Sequence, residues 1–138
     1  MSSVFAIDHV QLPIPPGGGW RAREFYEERL GLRELRDPAL DRPGTLRFQL
    51  GVQRLDLHEG PYSGVAPQAH LALRVRGLRD FIGALRERGL RVDTGGVPDV
   101  GARAYLDDPF GNRIELIDAL VLGAAETAYE ADPLEFAV

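Results

Sequence analysis

Cysteine and lysine are both missing from this chain of 138 residues, and no apolar run approaches the roughly 20 residues of a membrane-spanning helix. The absence of cysteine excludes disulfides, thiolate metal ligands and cysteine nucleophiles. The absence of lysine excludes Schiff-base and P-loop lysine chemistry, so that all 16 basic residues are arginines. The net charge of −5 argues against general nucleic-acid binding. We therefore expect a partner other than nucleic acid or a membrane.

The first residues contain neither a basic segment nor a long apolar one, so we expect no signal peptide and a cytoplasmic location. The length suits one domain, and 44% apolar with 27% charged residues is ordinary for a globular protein. The three consecutive glycines at 17–19 lack the strand-to-helix spacing of a phosphate-binding loop. We therefore expect no nucleotide cofactor.

Hydrophobic periodicity divides the chain into short strands and two helices. Apolar residues recur every three or four positions at 20–30 and 78–88, which predicts helices that each end at a glycine. The Pro- and Gly-rich residues 13–19 are expected to end the first strand. The segment DDPFGN at 107–112 has turn chemistry and leads into a last strand. The other predicted strands are 4–12, 32–35, 46–50, 54–58, 69–75, 90–92 and 102–106.

The order strand, helix, three strands occurs twice, and faint internal similarity accompanies it. Residues 8–12, DHVQL, resemble residues 69–73, AHLAL, and residues 53–57, QRLDL, resemble residues 112–116, NRIEL. Each half therefore begins with a strand that carries a histidine and ends with a strand that carries an acid. The Gly- and Pro-rich residues 60–68 separate the two halves.

Four side chains in these strands are of metal-ligating types: His9, Asp56, His70 and Glu115. All four lie opposite the aliphatic residues of their strands, so helices that cover the aliphatic faces would leave them together on the other face. Two imidazoles and two carboxylates suit a divalent metal such as Zn, Ni, Co, Mn or Fe(II). The alternative is an ion pair at each acid, because an arginine, Arg54 or Arg113, precedes each acid by two positions.

The same alternation places further polar side chains on this face. Arginines hold carboxylates and phosphates in a fork, so a substrate that they contact could be anionic. The residues that we expect to contact substrate are Arg47, Arg74, Arg103 and Tyr105. The alternative for each of them is a solvated sheet face.

Together these features resemble the vicinal oxygen chelate superfamily, the group of glyoxalases, bleomycin resistance proteins and extradiol dioxygenases. The matching segments are IDHV at 7–10, FYEERLGL at 25–32, AHLAL at 69–73 and DPFGNRIEL at 108–116. The resemblance implies an α+β fold of two βαβββ modules, in which curved mixed sheets enclose a concave cleft and helices pack on the outer faces. The expected parts are a first module, 1–59, a linker, 60–68, a second module, 69–118, and a tail, 119–138.

The resemblance also implies roles for the polar residues. His9, His70 and Glu115 match metal ligands of the family, with Glu115 as the group that moves a proton. Asp56 stands where bacterial glyoxalases carry a longer glutamate, and His58 is expected to assist catalysis. The implied activities are a metal-dependent glyoxalase-like lyase or isomerase, an Fe(II) extradiol dioxygenase, or non-catalytic binding of a drug or metabolite. A homodimer that binds a small molecule is implied in each case.

Overall fold

The computed structural model describes residues 2–66, 68–95 and 103–119. The described residues form two compact units, 2–62 and 63–119, each with its own sheet. Mixed α and β structure with two small, unclosed sheets confirms the predicted fold class. The predicted tail lies outside the described residues, apart from its first residue. In the described part of the chain, no helix is long and apolar enough to cross a membrane.

The first unit has the predicted strand, helix, three-strand order. Its elements are strand β1 (His9–Ile14), helix α1 (Gly19–Arg23) with a π-helical continuation (Glu24–Arg29), and strands β2 (Arg33–Glu34), β3 (Thr45–Leu50) and β4 (Gln53–Glu59). The sheet order is β1-β4-β3-β2, with β1 parallel to β4 and the other neighbours antiparallel. The strand that carries Asp56 is therefore interior to the sheet, where its side chains have neighbours on both sides.

Aromatic and aliphatic side chains form the core of the first unit. The fully buried Tyr26 ring lies 4.9 Å from the Phe25 ring and 5.7 Å from the ring of Phe48 on β3, measured between centroids. The apolar residues that alternate along β3 and β4 are also buried: Leu46, Leu55 and Leu57. Burying a large apolar side chain contributes roughly 1.5–3 kcal/mol. This commits one face of the sheet to the core and leaves the alternating polar residues on the other face.

Strand β1 differs from its prediction at both ends. The sequence pattern predicts a strand at 4–12 that prolines end, whereas β1 begins at His9 and continues through Pro13 to Ile14. Pro13 is tolerated because β1 is an edge strand, which needs ladder hydrogen bonds on one side only. Residues 2–8 are exposed and form no strand. The histidine is therefore the first residue of the strand.

The second unit repeats the first with one strand fewer among its described residues. Its elements are strand β5 (His70–Val75), helix α2 (Leu78–Glu87), and strands β6 (Arg103–Asp107) and β7 (Arg113–Asp118), in the sheet order β5-β7-β6. Strand β5 is parallel to β7, and β6 is antiparallel to it. The strand predicted at 90–92 does not form. Two backbone hydrogen bonds of 2.8 Å instead make a single bridge between Asp93 and Tyr105.

Helix α2 buries Leu78, Ile82 and Leu85. The sequence predicts an apolar stripe that includes Phe81, but this ring is only half-buried, because Leu78 lies at the core-facing position one turn before Ile82. The buried aliphatic residues of the two long strands of this unit are Ala104, Leu106, Ile114 and Leu116. The second sheet therefore also has one apolar face and one polar face.

Candidate functional site

Cross-strand rows build the polar face of the first sheet. Each row takes one residue from β1, one from β4 and one from β3. The rows are His9, Arg54 and Gln49; then Gln11, Asp56 and Arg47; then Pro13, His58 and Thr45. Residues in register across neighbouring strands have their side chains within contact distance. Asp56 therefore lies in the middle row, with Arg47 directly across from it.

Asp56 is buried at the centre of this face. It is 5% exposed, and its carboxylate accepts two hydrogen bonds from Arg54, from Nε at 2.6 Å and from Nη2 at 3.1 Å. These hydrogen bonds raise the pKa of the Arg54 guanidinium and compensate a carboxylate that would be costly to bury alone. The His9 ring lies near the same acid, with Nε2 4.0 Å from Asp56 Oδ2 and Nδ1 2.7 Å from Asp8. Two of the four predicted metal ligands are therefore neighbours in this unit.

A cleft of about 520 Å³ opens beside Asp56. The loop between β2 and β3 contributes Leu40, Arg42 and Pro43 to its lining. The strands contribute Gln11, Thr45, Arg47, Arg54, Asp56 and His58. This volume is typical of small-molecule sites. Three arginines and one carboxylate in the lining favour a ligand with negative charge.

The three arginines of the cleft differ in their partners. Arg54 holds Asp56, whereas Arg47 Nη2 donates to Asp41 Oδ1 at 2.6 Å. The Arg42 guanidinium has no hydrogen-bond or ion-pair partner among the described residues. A hydrogen bond from the Asp37 backbone N–H and the contact with Arg47 hold the pKa of Asp41 below its ordinary value, so Asp41 is charged at neutral pH.

His58, which the sequence suggests as a catalytic residue, also lines this cleft. Its Nδ1 lies 2.7 Å from Thr45 Oγ1, across the β3–β4 pair. Its Nε2 has no hydrogen-bond partner among the residues that the structure describes. The threonine therefore restrains the ring and leaves one ring nitrogen to interact with a ligand.

The polar face of the second sheet has equivalent rows with a different ion pair. Rows across β5, β7 and β6 are His70, Arg113 and Asp107; then Ala72, Glu115 and Tyr105; then Arg74, Ile117 and Arg103. Glu115 is 8% exposed and accepts hydrogen bonds from Arg103 Nη1 at 3.2 and 3.1 Å. The ion-pair alternative names Arg113 as its partner, and this assignment is wrong. The Arg113 guanidinium lies over the Tyr105 ring, 4.8 Å from its centroid.

The other predicted site residues of this unit are distributed around Glu115. Arg103 donates hydrogen bonds to Glu115, and Tyr105 lies directly across from it on β6. Arg74 lies in the next row, across from Ile117. His70 is exposed at the start of β5, with Nδ1 3.1 Å from the Gln68 carbonyl oxygen. Taken separately and over their described residues, neither unit gathers three or more His, Asp or Glu side chains that could hold a metal ion.

The candidate carboxylates do not fit a divalent metal as they are arranged. Both oxygens of Asp56 accept hydrogen bonds from the Arg54 guanidinium, and both oxygens of Glu115 accept hydrogen bonds from Arg103. A cation bound at either acid would lie beside a guanidinium, and the two positive charges would repel each other. At each acid the arginine supplies the positive charge that a metal would otherwise supply.

The turn before β7 is held by a buried aspartate. The Asp108 carboxylate accepts hydrogen bonds from Phe110 N at 2.9 Å and from Asn112 N and Nδ2 at 2.8 and 2.7 Å. Gly111 adopts a φ of 90°, which favours glycine. The predicted turn chemistry is confirmed, and its role is to set the start of the strand that carries Glu115.

A second cavity of the first unit, about 400 Å³, is lined by the exposed Trp20 and by an acid that two arginines bind. The Glu34 carboxylate accepts hydrogen bonds from Arg23 at 2.7 and 2.9 Å and from Arg36 at 2.7 Å. Burial alone would raise the pKa of Glu34, but the two guanidinium groups outweigh it and hold this pKa below the ordinary 4.5.

Comparison with known proteins gives the family. Residues 6–116 match the sequence model of the Glyoxalase/Bleomycin resistance protein/Dioxygenase superfamily. The chain belongs to this superfamily. The resemblance inferred from the sequence motifs is thereby confirmed. No curated protein matches the chain.

Several solved structures resemble the chain over most of its length. A glyoxalase family protein from Bacillus anthracis is 34% identical with a TM-score of 0.74, over 86% of this chain and 98% of that one. A glyoxalase/bleomycin resistance protein from Streptomyces sp. CB03234 is 27% identical with a TM-score of 0.60, over 80% of this chain and 98% of that one. TnmS3, an antibiotic binding protein from the same Streptomyces strain, shares the fold at 24% identity, with a TM-score of 0.66 over 86% and 98% of the two chains.

Sequence reasoning missed Asp41, which pairs with Arg47 of the cleft, and the polar lining residues Arg42 and Thr45. Asp41 and Arg42 lie in a loop with two prolines that no periodic pattern describes. Thr45 directly precedes the first residue of the predicted strand, 46–50, and its alternation with Arg47 was the signal that could have found it.

Proposed function

We propose that this superfamily member binds a small organic molecule in the cleft beside Asp56 and needs no metal to do so. The observation that carries the proposal is the pairing of Asp56 with Arg54 beside a cleft whose Arg42 and His58 Nε2 have no partner among the described residues. In the second unit, Glu115 is likewise paired with Arg103. Asp56 then acts in the framework of the site, because it fixes Arg54 within the polar face. The unpaired groups contact the ligand.

The names of two similar structures include drug binding or drug resistance. TnmS3 is an antibiotic binding protein, and the second Streptomyces structure is a glyoxalase/bleomycin resistance protein. A polar sheet face that holds a ligand through side chains alone is compatible with this fold, because function depends on the site and not on the fold. A drug or metabolite is therefore the class of ligand that we infer.

Ligand screening on metal-free protein tests the proposal. We expect saturation-transfer NMR on chelator-treated protein to find ligands whose affinity His58→Ala lowers about tenfold, as is typical when one hydrogen bond to a charged group is lost. The control is Gln49→Ala, on the same sheet face but outside the cleft lining. Binding that disappears on chelation, or that both variants weaken equally, would contradict metal-free binding in this cleft.

A metal-dependent lyase or isomerase is the second candidate. The 4.0 Å between His9 Nε2 and Asp56 Oδ2 favours it, because both atoms could reach one ion if Arg54 released the acid. Elemental analysis after reconstitution with Zn, Ni, Co, Mn or Fe(II) tests this candidate. An occupancy close to one ion per chain would place it first, and oxygen uptake with catechols would then distinguish a dioxygenase.

A further inference from the structure

The loop between β2 and β3 is joined to the floor of the cleft by one ion pair. Arg47 Nη2 lies 2.6 Å from Asp41 Oδ1, and the same nitrogen is 3.5 Å from the Leu35 carbonyl oxygen. The Arg47 side chain is 12% exposed, whereas that of Asp41 is 46% exposed. The arginine is therefore part of the sheet face, and the acid reaches it from the solvent side.

The Asp41 carboxylate pairs with the Arg47 guanidinium in the way that the anionic group of a ligand would. A carboxylate at 2.6 Å from a guanidinium nitrogen is the geometry by which arginine binds carboxylates and phosphates. We propose that Asp41 is a built-in competitor, and that a ligand carrying a carboxylate or phosphate displaces it from Arg47 when the loop opens. This inference rests on the proposed binding function and adds to it the chemical class of the ligand and the residue that opposes binding.

The contact is suited to exchange. An ion pair with an exposed partner contributes little stability, because water solvates the Asp41 carboxylate once it leaves Arg47. Loop residues 36–43 are all exposed, so opening the loop uncovers little buried surface. Asp41 keeps one hydrogen bond that does not involve the cleft, from Asp37 N to Asp41 Oδ1 at 3.1 Å. The released acid therefore has a second partner within its own loop.

Arg42 provides a first contact for the incoming anion. It follows Asp41 directly, lines the cleft and has no partner among the described residues. An anion can bind this guanidinium before Arg47 is free. Once the anion displaces Asp41, it contacts both Arg42 and Arg47. The ligand group must carry at least two acceptor oxygens to use both, which a carboxylate or phosphate does and a neutral carbonyl does not.

Calorimetric titration with phenyl phosphate, benzoate and the neutral benzamide tests the inference. We expect Asp41→Asn to raise the affinity for phenyl phosphate about threefold, since an exposed pair of this kind is worth a factor of roughly 1.4–5. The affinity for benzamide should not change. Arg47→Met should lower phenyl phosphate affinity about tenfold and abolish the gain from Asp41→Asn in the double variant.

Asp37→Asn is the matched control. It removes the same charge from the same loop, and asparagine retains the acceptor that Asp37 Oδ1 offers to the Ala39 N–H at 3.0 Å. An equal gain in both Asn variants would overturn the inference, because it would reflect net charge alone. Binding of benzamide but of neither anion would overturn it while the proposed function stands. If none of the compounds that bind responds to His58→Ala, the proposed function fails.

Discussion

Replacing Arg54 by methionine should destabilise the first unit by about 2 kcal/mol. Methionine keeps the length of the side chain and removes both hydrogen bonds to Asp56, leaving a carboxylate that is 5% exposed without its cation. Breaking a buried ion pair costs roughly 3–5 kcal/mol. Arg54 is 31% exposed, so water reaches the site and lowers this figure to about 2 kcal/mol. A chain of this length would lose about 6 °C in Tm.

Urea denaturation followed by circular dichroism measures this loss, and a double-mutant cycle with Asp56→Asn isolates the pair. We expect a coupling free energy of about 1.5 kcal/mol between the two positions. Arg33→Met is the control, because Arg33 lies across from Gln49 in the row of Arg54 and has no partner among the described residues. A loss below about 0.5 kcal/mol for Arg54→Met, or an additive cycle, would refute the view that this arginine compensates the acid.

Two further predictions concern stability. Glu34→Gln should cost about 2 kcal/mol at pH 7 and progressively less below pH 4.5, because the pKa of Glu34 is lower in the folded state and its contribution is lost as pH falls through that folded value. Urea titrations at pH 7 and pH 3 measure it, with the exposed Glu28→Gln as control, and an equal loss at both pH values would contradict it. Asp108→Ala should cost about 3 kcal/mol, because three hydrogen bonds in a buried turn are lost together, and a Tm within a degree or two of wild type would refute that role.

The arginines beside the acids decide whether side chains of metal-ligating types can bind a cation or instead form ion pairs. His9, Asp56, His70 and Glu115 occupy the polar faces that their alternation predicts, and this placement is independent of any metal. The residues beside them decide what the acids do. Arg54 and Arg103 turn two carboxylates that could bind a cation into parts of the sheet framework.

The sequence alone determined the family, the order of the helix and strands in the first unit and the face of the strand on which each candidate residue lies. Those properties follow from local rules, since alternation with period two assigns strand faces and a helical period identifies the covering helices. Local rules gave the wrong bounds for the first strand, because a proline can either end a strand or lie within one at a sheet edge. The first strand runs through Pro13 because only its position at the sheet edge makes a missing N–H harmless.

Only the tertiary structure decided which arginine forms an ion pair with which acid. Asp56 pairs with Arg54 two residues away on its own strand, but Glu115 pairs with Arg103 from a neighbouring strand, although each acid follows an arginine by two positions. Cross-strand register decides this, because Tyr105 lies directly across from Glu115 and its ring accommodates Arg113. Asp41 likewise reaches Arg47 by the path of a loop. These contacts join residues whose separation in sequence carries no periodic signal, so they emerge only once the chain has folded.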